Sequence, residues 1–292
     1  MVKLRFYSPE QACDIVGGCT TKGEMAEFVC RSYGIPIEKT LYIGDSTADI
    51  ALMEKTGFCG CPSNAQDDVK KYVRKRKGFV SKKDRTEACL RAFKKYEEEG
   101  LFAIISDVDG CLRSRGITTD EQLAQISSYV KNSKGFYTSH PPLTICTGRS
   151  YEQSVEEIIK PMGFTAANIA EEYLETWPPL MFENGSVLYH VHSGTVENVI
   201  QRKFPDYLQC INHIKRRFDE RKHELDCLID KEGLVIPFKR NMFTIDVPLG
   251  LRGTGKGKEF QEKVFEIVNR ICDNVGIEIK KAGGKNEKDN NC

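Results

Sequence analysis

Net charge is almost missing from this chain: 43 lysines and arginines face 42 aspartates and glutamates over 292 residues. A balance of +1 provides no electrostatic pull toward nucleic acid or an anionic membrane. Long apolar runs are missing as well, and none approaches the roughly eighteen residues of a membrane span. The opening MVKLRFYSPE lacks the apolar centre and cleavage site of a secretory signal. No CxxC pair occurs among the twelve cysteines; the nearest two are Cys59 and Cys61 in FCGCPS, and the rest are scattered through apolar segments. That spacing argues against a zinc site or a disulfide frame, and for reduced, buried thiols in a cytoplasmic protein. Tandem repeats and low-complexity blocks are also absent. A hydrophobic share of 40% with 29% charged residues indicates a globular protein with a substantial core.

Several short apolar runs end abruptly in small or polar residues: TLYIGDS (40–46), LFAIISDVDG (101–110), PLTICTGRS (142–150) and PLMFENGS (179–186). Helically spaced stretches lie nearby, among them ADIALMEKTG, DEQLAQISSYVKN and YEQSVEEIIKPMG. Apolar strands alternating with helices predict an α/β fold, a Rossmann-like parallel sheet with helices on both faces. Ligands of such sheets gather at the carboxyl ends of the strands, and the candidate polar residues all fall there. From about 195 the texture changes. KFPDYLQCINHIKRRFDERKHE predicts a charged amphipathic helix, LVIPFKRNMFTIDVPL two strands or a hairpin, KEFQEKVFEIVNRICDNVG a further helix and IEIKKAGG a last strand. This is a smaller α+β unit. The polar, Gly-rich tail 284–292 is expected to be flexible.

SDVDG sets Asp107 and Asp109 two residues apart, so in a strand both point to one side. Oxygen-only ligands of that kind suit Mg²⁺, although a DG turn with two solvated acids has the same sequence. ICTGRS offers a hydroxyl at Thr147 and backbone amides at Gly148 and Arg149 that could hold a phosphoryl oxygen, or Thr147 could cap a helix. CTTKGE puts Lys22 at a helix start, with Thr21 and Glu24 in capping-box spacing. IGDSTAD contributes Asp45 and Asp49. One decoy stands apart: GLRGTGKGK satisfies GxxxxGK through Gly250, Gly255 and Lys256, but Gly257 occupies the place of the Ser or Thr that would hold Mg²⁺. A basic loop on the smaller unit is the better reading.

Together the four segments resemble the motifs of the haloacid dehalogenase superfamily of phosphohydrolases. FENGSVLY and CPSNAQDDVKKYV resemble secondary signatures of its sugar-phosphatase-like branch. The resemblance implies that Asp107 attacks phosphorus, that Asp109 is the general acid and base, that Thr147 holds a phosphoryl oxygen, and that Lys22 neutralises charge. It implies Mg²⁺ on Asp107, the carbonyl of Asp109 and Asp45, with Asp49 in support. Gly148, Arg149, Asn184 and Asn64 become phosphate-binding candidates. The implied domains are a core over 1–190, assembled from 1–95 and 100–190, and a cap over 191–283. The implied activity is a Mg²⁺-dependent phosphatase for a small phosphorylated metabolite, a sugar phosphate or phosphorylated sugar acid, with neither nucleic acid nor membrane as partner. A sugar phosphomutase, or a catalytically inactive binding module, would use the same pattern.

The order of the motifs departs from the family. Lysine and acidic motifs come first here, and the nucleophile, the threonine motif and the cap follow. A circular permutation explains that order, and so does a fragment of a tandem array. The opening VKLRFYSPEQACDIVGG and the closing IEIKKAGGK both look like the family's last cap strand, which the tandem reading predicts. A domain-swapped dimer is a third possibility. If one chain builds one site, strand 40–44 lies beside strand 101–106.

Overall fold

The computed structural model describes residues 3–7, 12–17, 21–113, 120–229 and 233–281. The strands among them are β1 Lys3–Tyr7, β2 Ala12–Gly17, β3 Thr40–Ile43, β4 Phe58–Cys61, β5 Phe79–Val80, β6 Ala103–Ser106, β7 Leu143–Ile145, β8 Leu180–Phe182, β9 Val187–His190, β10 Thr195–Asn198, β11 Phe243–Asp246 and β12 Glu278–Lys281. Two compact units result: Thr21–Asn198, and the N-terminal twenty residues joined with 199–292. The sequence-based boundary at 190 therefore shifts to 198, and the opening segment goes with the C-terminal unit. The reason is strand pairing. β1 pairs in parallel with β12, Leu4 opposite Ile279, and β2 pairs antiparallel with β11, Ile15 opposite Phe243. The expected tail, 284–292, lies outside the described residues.

The larger unit is built on a parallel sheet of order β5-β4-β3-β6-β7. Every residue of β3, β6 and β7 is buried, as strands covered on both faces must be. β3 and β6 pair in register from Thr40 opposite Ala103 to Ile43 opposite Ser106, the adjacency expected of a site built by one chain. The turn Glu97–Glu99 and the left-handed Gly100 (φ 61°) connect the helix Arg85–Lys95 to β6. That helix and Asp120–Lys131 share an apolar core with the sheet, including a Phe93–Tyr129 ring contact at 4.7 Å. The apolar run 179–182 forms β8, the outer strand of a β10-β9-β8 sheet. It lies against the end of β7, with a bridge from Cys146 to Met181 and the Thr144 hydroxyl donating to the Pro179 carbonyl at 2.7 Å.

The smaller unit has the sheet order β11-β2-β1-β12 and the helices Val199–Lys203, Pro205–Asp219 and Gly255–Asp273. The opening and closing strands thus lie side by side instead of competing for one position. Of the expected hairpin in 234–249 only β11 is a strand; Asp246 donates to the Val235 carbonyl at 2.9 Å. Pro237, which has no N–H, interrupts the rest. GLRGTGKGK forms a short turn and the start of Gly255–Asp273, capped by Thr254, which accepts from Gly257 N at 3.1 Å. A β-carbon on Gly257 would lie 2.1 Å from the Leu251 carbonyl oxygen. Glycine there meets a packing need, which accounts for the departure from the phosphate-loop pattern.

Candidate active site at the strand ends

β3 and β6 end level with one another, and the Asp107 amide donates to the Ile43 carbonyl at 2.8 Å. The residues that follow the two strands, Asp45 and Asp107, therefore emerge side by side. With Asp49 they form a buried carboxylate trio in which each residue offers an oxygen within 4.8 Å of the others. Lys22, the first residue of helix Lys22–Ser32, enters the same space. Its ammonium lies 2.6 Å from Asp49 Oδ1 and 3.3 Å from Asp107 Oδ1. Thr21 caps this helix, accepting from Glu24 N at 3.4 Å, so the capping signal in the sequence positions the lysine.

Asp49 is the structural hub. Oδ1 accepts from Lys22 and from the Tyr42 hydroxyl, both at 2.6 Å. Oδ2 accepts from the amides of Asp45 (3.0 Å) and Ser46 (2.9 Å) and from the Ser46 hydroxyl (3.0 Å). With five donors its lone pairs are filled by protein, which leaves Asp45 and Asp107 as the better placed oxygen donors for a cation. Burial would raise the Asp49 carboxyl, but Lys22 and the hydrogen bonds outweigh it and hold it below the usual carboxylate range. Burial likewise works against the Lys22 charge, yet Asp107 and Asp49 keep it protonated well above the ordinary lysine range. Asp107 is pushed up to about 8 by burial, opposed by Lys22 and reinforced by Asp49, Asp45 and Asp109.

The loop after β6 is shaped around Asp45. Gly110 has φ +83°, and a β-carbon on it would fall 2.1 Å from Asp45 Oδ2. The Gly110 carbonyl accepts from Asn64 Nδ2 at 2.9 Å, and Asn64 Oδ1 accepts from Arg85 N at 3.2 Å. Asn64, a phosphate-binding candidate in the sequence, here braces the loop after β6.

Asp109 is held by a two-point clamp: Arg149 Nε donates to Oδ2 at 2.5 Å and Nη2 to Oδ1 at 3.0 Å. Arg149 Nη1 and Arg113 Nη1 both donate to Glu157 Oε2, at 2.9 and 3.1 Å. Arg149, expected to meet phosphate, is thus engaged with the second aspartate. Glu157 lies in a π-helical stretch, Val155–Ile159, a local widening often found beside functional sites. Thr147, 2% exposed, follows β7; its hydroxyl accepts from Arg149 N at 3.3 Å. Ser150 caps the following helix, accepting from Gln153 N, so Thr147 is not the cap. Glu183 and Asn184 adopt left-handed conformations (φ 48° and 60°). Their amides donate to the carbonyls of Arg149 and Thr147, both at 2.9 Å, which folds the ENG turn onto the threonine loop. Asn184 Oδ1 stands 3.5 Å from where a Gly148 β-carbon would be.

Tyr42, Ser46, Arg113 and Glu157 were not singled out in the sequence. Arg113 follows Asp109 at a spacing of four, and Tyr42 sits inside the acidic motif's own strand. Glu157 carries no sequence signal, since only folding brings it to Arg149.

Fold and site together define an α/β domain whose strand ends combine clustered carboxylates, a buried ammonium and a threonine loop. Residues 4–86, the segment that carries Lys22, Asp45 and Asp49, match the family described as haloacid dehalogenase-like hydrolase. A phosphoglycolate phosphatase of Thermoplasma volcanium is 40% identical over 50 residues, 17% of this chain and 22% of that protein. The chain thus spans under a quarter of that relative's length. An N-terminally truncated, IMP-bound IMP-nucleotidase of Plasmodium falciparum is similar at a TM-score of 0.36 and 18% identity, over 63% of this chain and 49% of the other. A trehalose-6-phosphate phosphatase of Aspergillus fumigatus is similar at a TM-score of 0.28 and 11% identity, over 68% and 89%. Likeness at these scores is loose. Among the described residues no helix is long and apolar enough to cross a membrane.

Proposed function

We propose that the chain is a Mg²⁺-dependent phosphomonoesterase acting on a small phosphorylated metabolite, a sugar phosphate or phosphorylated sugar acid. The supporting observation is the convergence of Lys22, Asp45 and Asp107 at the ends of two neighbouring parallel strands. The name of the Thermoplasma relative, a phosphatase of a small phosphorylated acid, agrees with the substrate class.

In the first half-reaction Asp107 attacks phosphorus, the bond to the leaving oxygen breaks, and Asp109 delivers a proton to the departing alkoxide. In the second, Asp109 takes a proton from water as that water attacks phosphorus, releasing phosphate and regenerating Asp107. Lys22 offsets the charge shared by Asp107 and the phosphoryl group, and Thr147 holds a phosphoryl oxygen. Arg149 is a positioning residue that engages both Asp109 oxygens in this structure and must release one of them for the proton transfer. Asp107, the Asp109 carbonyl and Asp45 would hold Mg²⁺; three buried carboxylates against one ammonium leave negative charge that suits a hard divalent cation. When bound, the ion supplies the charge neutralisation that phosphoryl transfer chiefly needs.

On this reading Thr21–Asn198 is the catalytic core, the other unit is its cap, and the motif order reflects circular permutation. The test is release of phosphate from p-nitrophenyl phosphate and a panel of sugar phosphates, with and without Mg²⁺. Mg²⁺-dependent turnover that falls by about 10⁴ or more in Asp107→Asn is the expected outcome. A variant that keeps its turnover would remove Asp107 from the chemistry.

A further inference from the structure

A cleft of about 1050 Å³ opens within the smaller unit, lined among the described residues by parts of 212–229 and 233–243. Helix Pro205–Asp219 and the turn after it contribute Lys215, Arg216 and Lys222; the segment 233–240 contributes Lys239, Arg240 and an apolar run that includes Phe238. Phe243 of β11, buried at 2%, backs the cleft.

Two independent features mark it as a ligand site. The first is apolar exposure. Phe238 is 65% exposed, and its neighbours Val235 and Ile236 are 53% and 37% exposed. A contiguous patch of this kind, rimmed by charge, is unusual on a surface with no partner. The second is charge. Among the described residues, five cations line the cleft against two carboxylates, Asp219 and Asp226. Arg216, in the last turn of its helix, answers the negative end of the helix dipole, and Lys222, Lys239 and Arg240 join it from outside that helix.

The cations divide into braces and donors. Lys239 is 9% exposed with its ammonium 3.7 Å from Asp14, and Lys215 donates to the Lys239 carbonyl at 2.6 Å. These two hold the wall. Arg216 and Lys222 are exposed. The 2.7 Å contact of Lys222 with Asp219 joins side chains that are 50% and 66% exposed, an ion pair worth little in water and readily exchanged for a better one.

We propose that this cleft binds a nucleoside polyphosphate, with the phosphates on Arg216, Lys222 and Arg240 and the base against Phe238. The ligand must be multiply anionic and carry a flat apolar body. Guanidinium forks match phosphate oxygens, an exposed aromatic face stacks with any base, and the volume lies near the top of the usual range for small-molecule pockets. Binding uses neither Asp107 nor Mg²⁺, so it stands or falls apart from the phosphatase reading.

The test is a fluorescence titration of the full chain with N-methylanthraniloyl-ATP in the presence of chelator. A saturable change is expected, weakened roughly tenfold or more in Arg216→Glu and in Lys222→Glu. Phe238→Ser weakens the labelled nucleotide by a similar factor, while inorganic tripolyphosphate displaces it from that variant as well as from wild type. All three side chains are exposed, so the fold survives, and a circular dichroism melt checks it. Asp107→Asn retains full binding. Absence of saturable binding, wild-type affinity in the three cleft variants, or loss of binding in Asp107→Asn would each overturn the assignment.

Discussion

At the scale of single residues, the site is a problem of charge. Lys22 is 6% exposed and touches two carboxylates; Lys22→Met leaves them buried without their cation and is expected to cost about 3–5 kcal/mol, read as a lower urea midpoint. Asp107 contributes the opposite sign. With a folded value of about 8 and an unfolded value of 3.8, it binds a proton in the native state that the unfolded chain releases. Its contribution to stability therefore falls as pH rises from about 4 to 8. In chelator, melting temperatures of wild type and Asp107→Asn should diverge across that window, with the variant the more stable at pH 8; parallel curves would refute the assignment. The Asp49 contribution runs the other way, present above the usual carboxylate range and lost as pH falls below it. Asp107 and Asp45 were legible because each follows an apolar run. The contact of Lys22 with Asp49 and the capture of Asp109 by Arg149 were not, because spacings of 27 and 40 residues carry no local signal.

At the scale of elements, loops after strands set the geometry. Gly110 combines a left-handed backbone with close approach to Asp45. Gly110→Ala should cost roughly 1–3 kcal/mol from backbone strain alone and raise the Mg²⁺ concentration needed for half-maximal activity, because the new methyl displaces the Asp45 carboxylate. A variant with unchanged unfolding and an unchanged Mg²⁺ titration would contradict this account. Strands at 40–43, 103–106 and 143–145 were readable as apolar runs ending in polar residues. The segment 234–238 looked equally strand-like, yet Pro237 interrupts its pairing and leaves Phe238 exposed. The π-helical turn at 155–159 was unreadable, since YEQSVEEIIKPMG has ordinary helical spacing and only the packed structure widens it.

At the scale of the whole molecule, one chain assembles the complete set of strand ends. β3 and β6 pair within it, so specific activity should stay constant over a hundredfold dilution; a loss on dilution, with a dimer by light scattering, would instead indicate exchanged halves. By itself the sequence determined the α/β class, the apolar strands that end in polar residues, and Lys22, Asp45, Asp107 and Thr147 as candidates, because each depends on local periodicity and on residue types a few positions apart. Only the tertiary structure decided that the opening strands belong with the C-terminal unit, that Lys22 reaches Asp49 and Asp107, and that Arg149 holds Asp109. Those outcomes depend on β-pairing and on side-chain hydrogen bonds between residues far apart in sequence, where the choice of partner is made by burial and geometry rather than by any local pattern.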